Sequence, residues 1–183
     1  MGFLGTLLRN RHAGDTGLTW NLPGLDGPDT VTLSSPDFTA SGPIPRIHVA
    51  KRAGGENLSP ELRWSATPPG TAGWLLVIED PDAPTTRPFL HCLALLDPAL
   101  TGVPRGALAA GTTTPGVRVL NTRLTRGYRG PAPIKGHGPH RYVFQLFALA
   151  ERLETPETVH YAEFVAGVPP VLARGRYEGT YER

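Results

Sequence analysis

The sequence predicts a mainly β fold, an antiparallel β-sandwich with a few peripheral helices. Three stretches carry that prediction. Residues 73–80, 90–96 and 142–150 are runs of strand length with apolar side chains at both parities, so both faces of each must be covered. The segments between them are dense in turn residues. The 22 glycines and 20 prolines among 183 residues punctuate periodic stretches rather than forming low-complexity tracts. Only one late segment carries helix signals. A sheet buried on both sides needs a second layer against each face.

A chain of this length suits one domain with a sizeable core, and no repeat or long linker divides it. Net charge is only +2, with Lys confined to Lys51 and Lys135. No basic stripe interleaved with aromatics is present, which argues against nucleic-acid binding. A single cysteine, Cys92 in an apolar run, excludes an internal disulfide and reads as a buried, inert thiol. The apolar part of the N-terminus is too short for a membrane span and has no signal-peptide flanks. A soluble, cytoplasmic protein is expected.

Residues 1–29 read as an irregular N-terminal arm whose Leu7, Leu8 and Trp20 cover part of the body or a partner subunit. Val31-Thr32-Leu33 is a short strand, ended by Ser34, Ser35 and Pro36. Residues 44–49 are expected to be extended around Pro45. The turn at 57–61 leads into a strand at 62–65 with alternating exposure, and Thr67-Pro68-Pro69-Gly70 is a turn. The buried strand 73–80 is stopped by Pro81 and Pro84, which cannot donate to a ladder. The buried strand 90–96 opens near His91 and ends at Asp97-Pro98. Residues 117–120 form a short strand, and 142–150 a third buried one. Thr155, Pro156 and Glu157 read as N-cap, first-turn proline and acidic first turn of a helix ending near Ala166. Residues 172–181 form a last strand, or a helical turn followed by one.

The chemistry gathers at strand ends. Asp80 closes the first buried strand, and Asp82 shares its direction if the chain stays extended through Pro81. His91 begins the second. A loop rich in Gly and Pro, Gly127 to Pro139, leads into His140-Arg141-Tyr142. His140 and Tyr142, two apart on a strand, point to one face, and Arg141 to the other. A carboxylate fixes an imidazole's tautomer by accepting one ring proton, leaving the other nitrogen for a ligand. Two imidazoles, the Tyr142 phenol and backbone N–H groups of the glycine loop form a small pocket suited to phosphate or carboxylate oxygens. Each residue also has a structural reading. Asp80 and Asp82 can make Asx turns. His91, Tyr128 and Tyr142 can be satisfied core residues. Arg141 reads as an ion-pair partner behind the pocket, and His12, His48, His137 and His160 read as surface residues.

These motifs together resemble the phosphatidylethanolamine-binding protein family, and more closely its short bacterial, Raf-kinase-inhibitor-like branch. They are Asp80-Pro81-Asp82-Ala83-Pro84, His91 before a buried strand, Gly127-Tyr128-x-Gly130-Pro131-x-Pro133, and Gly136-x-Gly138-Pro139-His140-Arg141-Tyr142. The resemblance runs from Thr30 to Tyr181, making residues 30–183 a single domain of that type. It implies a β-sandwich with a pocket at one end for phosphate-type anions and phosphorylated head groups. By motif match the polar lining is Asp80, His91, His140 and Tyr142. Asp82, Pro84, Tyr128, Gly130 and Pro131 complete the candidate ligand-binding set. The resemblance also implies a cis peptide at Ala83–Pro84, with Arg87–Pro88 second. Cys92 stands where the family commonly has an aromatic residue, and no counterpart of the C-terminal helix of animal members is evident. Bacterial relatives tend to pair, so a homodimer is expected.

Two functions compete. The first is a binding protein for a small phosphorylated or carboxylate ligand, a phospholipid head group among the candidates. In the wider family that role goes with regulating a partner kinase or protease, though no residue here identifies such a partner. The second is an acid–base enzyme of cyclase or lyase type using the same Asp/His pocket. No activated nucleophile is evident. A metal site from His91, His137, His140 and an Asp is a third, weaker reading. No cofactor and no catalytic residue is assigned.

Overall fold

The computed structural model of the chain describes residues 2–65 and 67–183. In chain order its elements are α1 (Phe3–Leu8), β1 (Leu33–Ser34), β2 (Leu62–Trp64), β3 (Gly73–Asp80), β4 (Phe89–Leu96), β5 (Gly102–Val103), β6 (Val117–Val119), β7 (His140–Leu149), α2 (Tyr161–Ala166) and β8 (Val171–Tyr181). The long strands form one antiparallel sheet in the order β6-β4-β3-β7-β8. A smaller sheet, β1-β2-β5, packs against it. The fold is the antiparallel sandwich read from the sequence.

The apolar runs at both parities have the expected consequence. Trp74, Leu76 and Ile78 of β3 face the small sheet, with Phe144 and Leu146 of β7 beside them and Leu33, Leu62 and Trp64 opposite. The rings of Trp64 and Trp74 meet edge to face, 5.7 Å between centroids. Leu75 and Val77 leave by the other face, with Val143 and Phe147. There Leu18, Trp20 and Leu25 of the arm and Phe164 and Val165 of α2 supply the second layer. Burying side chains of this size stabilises by about 1.5–3 kcal/mol each, so Leu18, Trp20 and Leu25 are part of the core.

Four local expectations are corrected. The helix begins at Tyr161, with His160 as N-cap, rather than at Thr155. Residues 155–159 are held beside the end of β6: the Asn121 N–H donates to the Glu157 carbonyl at 2.7 Å and the Val159 N–H to the Asn121 carbonyl at 2.9 Å. These tertiary bonds outweigh the capping signal. Residues 46–48 form a 3-10 turn rather than an extended segment. The first short strand lies at Leu33–Ser34 rather than at Val31 to Leu33. Of the arm residues expected to cover the body or a partner subunit, Trp20 is buried against the body and Leu7 is 70% exposed on α1. No cis peptide bond occurs among the described residues, so Ala83–Pro84 and Arg87–Pro88 are both trans. The two-residue β5 was not foreseen.

Candidate functional site

β3, β4 and β7 bring the motif residues to one end of the large sheet. Asp80 is the last residue of β3, and His140 the first of β7. Asp80 Oδ2 accepts the His140 Nδ1–H at 2.7 Å, with both side chains buried. The other Asp80 oxygen accepts the Asp82 N–H at 2.8 Å, an Asx-type turn. Asp80 therefore fills both of its sequence readings at once, one with each oxygen.

Asp82 does not share Asp80's direction, because β3 ends before it. Its carboxylate takes the Arg141 N–H at 2.8 Å and the Arg141 Nε and Nη2 groups at 2.9 Å each. Burial would raise the Asp82 carboxyl, but these Arg141 bonds outweigh it and hold it below the ordinary value. Asp82 and Arg141 thus form the ion pair expected behind the pocket, extended by Asp15 from the arm.

His91 arrives by a device the sequence does not advertise. Leu93 faces the arm side of the sheet and Cys92 the small sheet, yet Leu90 also sides with Leu93. The step is odd because Ile78 pairs with Cys92 and Glu79 with Leu90, which leaves His91 as an extra residue on β4. Such a bulge re-aims a side chain. It turns the His91 ring onto Tyr142, 5.0 Å between centroids at 84°. The His91 Nδ1–H donates to the Arg129 carbonyl, and the Arg129 N–H returns a bond of 2.8 Å to the His91 carbonyl. Burial pushes the His91 pKa down to about 4, against the pull of the Arg129 carbonyl. At neutral pH His91 is uncharged and its Nε2 is an acceptor.

The Gly127–Pro131 loop is fixed by close approach. A Cβ on Gly130 would lie 2.2 Å from the His48 carbonyl oxygen, so only glycine fits. The Gly130 N–H reaches Asn57 Oδ1 at 2.8 Å, and the Pro131 carbonyl accepts the Ala50 N–H at 3.0 Å. The Tyr128 hydroxyl donates to the His48 carbonyl at 3.1 Å, which takes it out of the imidazole group. Pro84 is half-buried in the turn after Asp82. Cys92 is buried, which pushes its thiol up to about 12.

Tyr142 differs from all of these. Its hydroxyl is buried and has no hydrogen-bond partner. The Ala132 N–H lies on its side but outside hydrogen-bond geometry. Burial raises the phenol well above its ordinary value, with Asp80 adding to the effect, so it stays a donor.

Two histidines expected on the surface are buried. His48 sits between the Leu58 carbonyl, 2.9 Å from Nδ1, and Asp37, 3.5 Å from Nε2. His137, 1% exposed, places Nδ1 2.8 Å from His140 Nε2. The His-x-x-His spacing, read as a weak metal signal, instead joins two imidazoles to each other. Among the described residues no three His, Cys, Asp or Glu side chains gather as metal ligands. Neither of two surface cavities, about 440 and 270 Å³, is lined by a candidate site residue.

The family model described as phosphatidylethanolamine-binding protein matches residues 34–182. The UPF0098 protein YbhB of Escherichia coli (strain K12) is 37% identical over 131 residues, 68% of this chain and 82% of that protein. Phomoidride biosynthesis cluster protein B of a fungal species is 32% identical over 167 residues, 84% of this chain and 78% of that protein. Among solved structures, Escherichia coli YbcL, described as a new member of the mammalian PEBP family, matches with TM-score 0.72 at 25% identity. The match covers 84% of this chain and 98% of that one.

Proposed function

The chain belongs to the phosphatidylethanolamine-binding protein family, and from that premise we propose that it binds a small ligand through a phosphoryl or carboxylate group at Asp80, His91, His140 and Tyr142. The observation that carries the reading is the Tyr142 hydroxyl, buried without a partner against the His91 ring. A buried unpaired hydroxyl costs about 1–3 kcal/mol, and a ligand oxygen would remove that cost. The Trp64 and Trp74 ring nitrogens and His48 Nε2 are also without hydrogen-bond partners, but the tryptophans lie in the apolar core between the sheets and His48 Nε2 faces the Asp37 carboxylate at 3.5 Å.

The three polar groups divide the work. His140, held by Asp80, donates from Nε2 to an anionic oxygen. Tyr142 donates to a second. Neutral His91 accepts, which suits the O–H of a monoprotonated phosphoryl group. Calorimetric titration with inorganic phosphate and with O-phosphorylethanolamine tests the reading. Saturable binding of either, lost in His140→Ala, is expected; equal heats in the wild type and the variant would overturn it. Self-association through the arm is proposed alongside it. Phe3, Leu4 and Leu7 of α1 are 84%, 56% and 70% exposed, and sedimentation showing only monomer at micromolar concentration would contradict it.

The second reading, an acid–base enzyme, is favoured by the 2.7 Å Asp80–His140 pair, an arrangement suited to proton transfer. The biosynthesis cluster that names the fungal relative points the same way. A bound ligand recovered chemically unchanged after long incubation with stoichiometric protein would exclude it for that ligand.

A further inference from the structure

In this structure the position in front of His140 is occupied. His137 Nδ1 lies 2.8 Å from His140 Nε2, the nitrogen a ligand oxygen must reach. The other His137 nitrogen is 3.2 Å from the Arg11 carbonyl. A carbonyl only accepts, so His137 Nε2 carries a proton. Asp80 accepts from His140 Nδ1. These three bonds need three protons, and two neutral imidazoles bring two. The contact is therefore complete only with one proton more than the two neutral rings carry, beside the Asp80 carboxylate. The other charged or titratable neighbours are His12, whose ring centroid is 5.2 Å from that of His137, His91 on the far side of Tyr142, and the Asp82–Arg141–Asp15 group.

We propose that His137 is an internal stand-in for the ligand, strapped over the site by residues 11–14, so that an anion binds by displacing it. The proposal rests on the anion-pocket reading. The strap is visible in its bonds. The Ala13 N–H donates to the Ala83 carbonyl and the Gly14 N–H to the Pro81 carbonyl, both at 2.9 Å. His12 Nδ1 lies 3.2 Å from the Asp82 carbonyl oxygen. Upstream, α1 anchors the strap by resting on the loop that holds His137. A Cβ on Gly5 would stand 2.3 Å from the Lys135 carbonyl oxygen and 2.7 Å from the His137 nitrogen.

The enclosure requires movement. Asp80, His91, His140 and Tyr142 are each at most 5% exposed, so no ligand reaches them while the strap is down. His137 stands between Gly136 and Gly138, with φ of 83° and 117°, positions where a loop pivots readily. Displacement leaves His140 with one N–H on Asp80 and the other on the incoming oxygen. That favours an anionic oxygen over a neutral one.

The test is calorimetric titration of inorganic phosphate into three full-length proteins: wild type, Gly5→Ala and His137→Ala. Gly5→Ala touches no binding residue, but its methyl group cannot fit against the Lys135 backbone, so α1 must lift. Both variants should bind phosphate at least about fivefold more tightly, the worth of one ordinary hydrogen bond released from competition. Binding by the variants with none by the wild type supports the proposal equally. Affinities within twofold of wild type, or weaker, in folded Gly5→Ala would overturn it while the pocket reading stands. No binding by any of the three would end the pocket reading and the proposal with it.

Discussion

Asp80 and Glu79 are neighbours in the chain and leave β3 by opposite faces, and each is the centre of a buried polar cluster. Around Glu79 the account closes. One oxygen accepts the Thr19 N–H at 2.8 Å, the Thr19 hydroxyl at 2.9 Å and the Gln145 amide at 2.8 Å, and the other accepts the Tyr161 hydroxyl at 2.9 Å. Gln145 in turn accepts the Trp20 N–H at 2.7 Å. Every donor comes from the chain itself, and the result clamps the arm and α2 to the sheet. Around Asp80 it does not close. Tyr142 has no partner, and the imidazole chain ends on a strap. A polar cluster that satisfies itself holds a fold together; one left incomplete is where a ligand fits.

The sharpest way to break the contrast is Glu79→Ala. Several buried donors lose their acceptor at once, and each unsatisfied group costs roughly 1–3 kcal/mol. A loss of about 3 kcal/mol or more in urea unfolding is expected, with phosphate affinity of the folded protein unchanged. A loss under about 1 kcal/mol would mean the cluster is not a clamp.

Acid titration separates the clusters by sign. His91 has a folded pKa of about 4, below its ordinary 6.5. The unfolded chain takes up that proton first, so stability is full above 6.5 and falls as pH drops towards 4, by on the order of 3 kcal/mol. Burial raises the Glu79 carboxyl above its ordinary 4.5 against its four donors. There the folded protein takes up the proton first, so stability is gained as pH falls through the raised value towards 4.5. His91→Leu should lose the acid-side fall, and Glu79→Gln should lose the gain. Parallel profiles of urea midpoint between pH 7 and 4 in all three proteins would contradict both assignments.

The smallest expected effect is the most discriminating. Tyr142→Phe removes a hydroxyl that has no partner, so stability should stay the same or rise by up to about 1 kcal/mol, while phosphate affinity falls about tenfold. A drop in melting temperature would mean that the hydroxyl is already bonded.

The long strands, and the place of His140 and Tyr142 two apart on one strand, were legible because apolar parity and period-two geometry act locally. Much else was not, and three cases show why. His91 faces Tyr142 only through a bulge, which alternation cannot reveal. His137 reads as a loop residue between glycines, and only the approach of the arm buries it. The Thr155-Pro156 signal is real but is overridden by backbone bonds to Asn121, a contact between residues far apart in sequence. Each miss depended on a tertiary contact that no local window contains.

The most direct test is NMR of the histidine ring nitrogens during a phosphate titration at neutral pH. Before ligand, His91 should show the neutral Nδ1–H tautomer, and His140 an Nδ1–H held by Asp80. On adding phosphate, His91 and His140 should shift saturably and together, while the Gln145 side-chain amide of the Glu79 cluster stays still. Rings that do not respond to millimolar phosphate, or an amide that moves as much as they do, would contradict the division between a cluster that holds the fold and one that awaits a ligand.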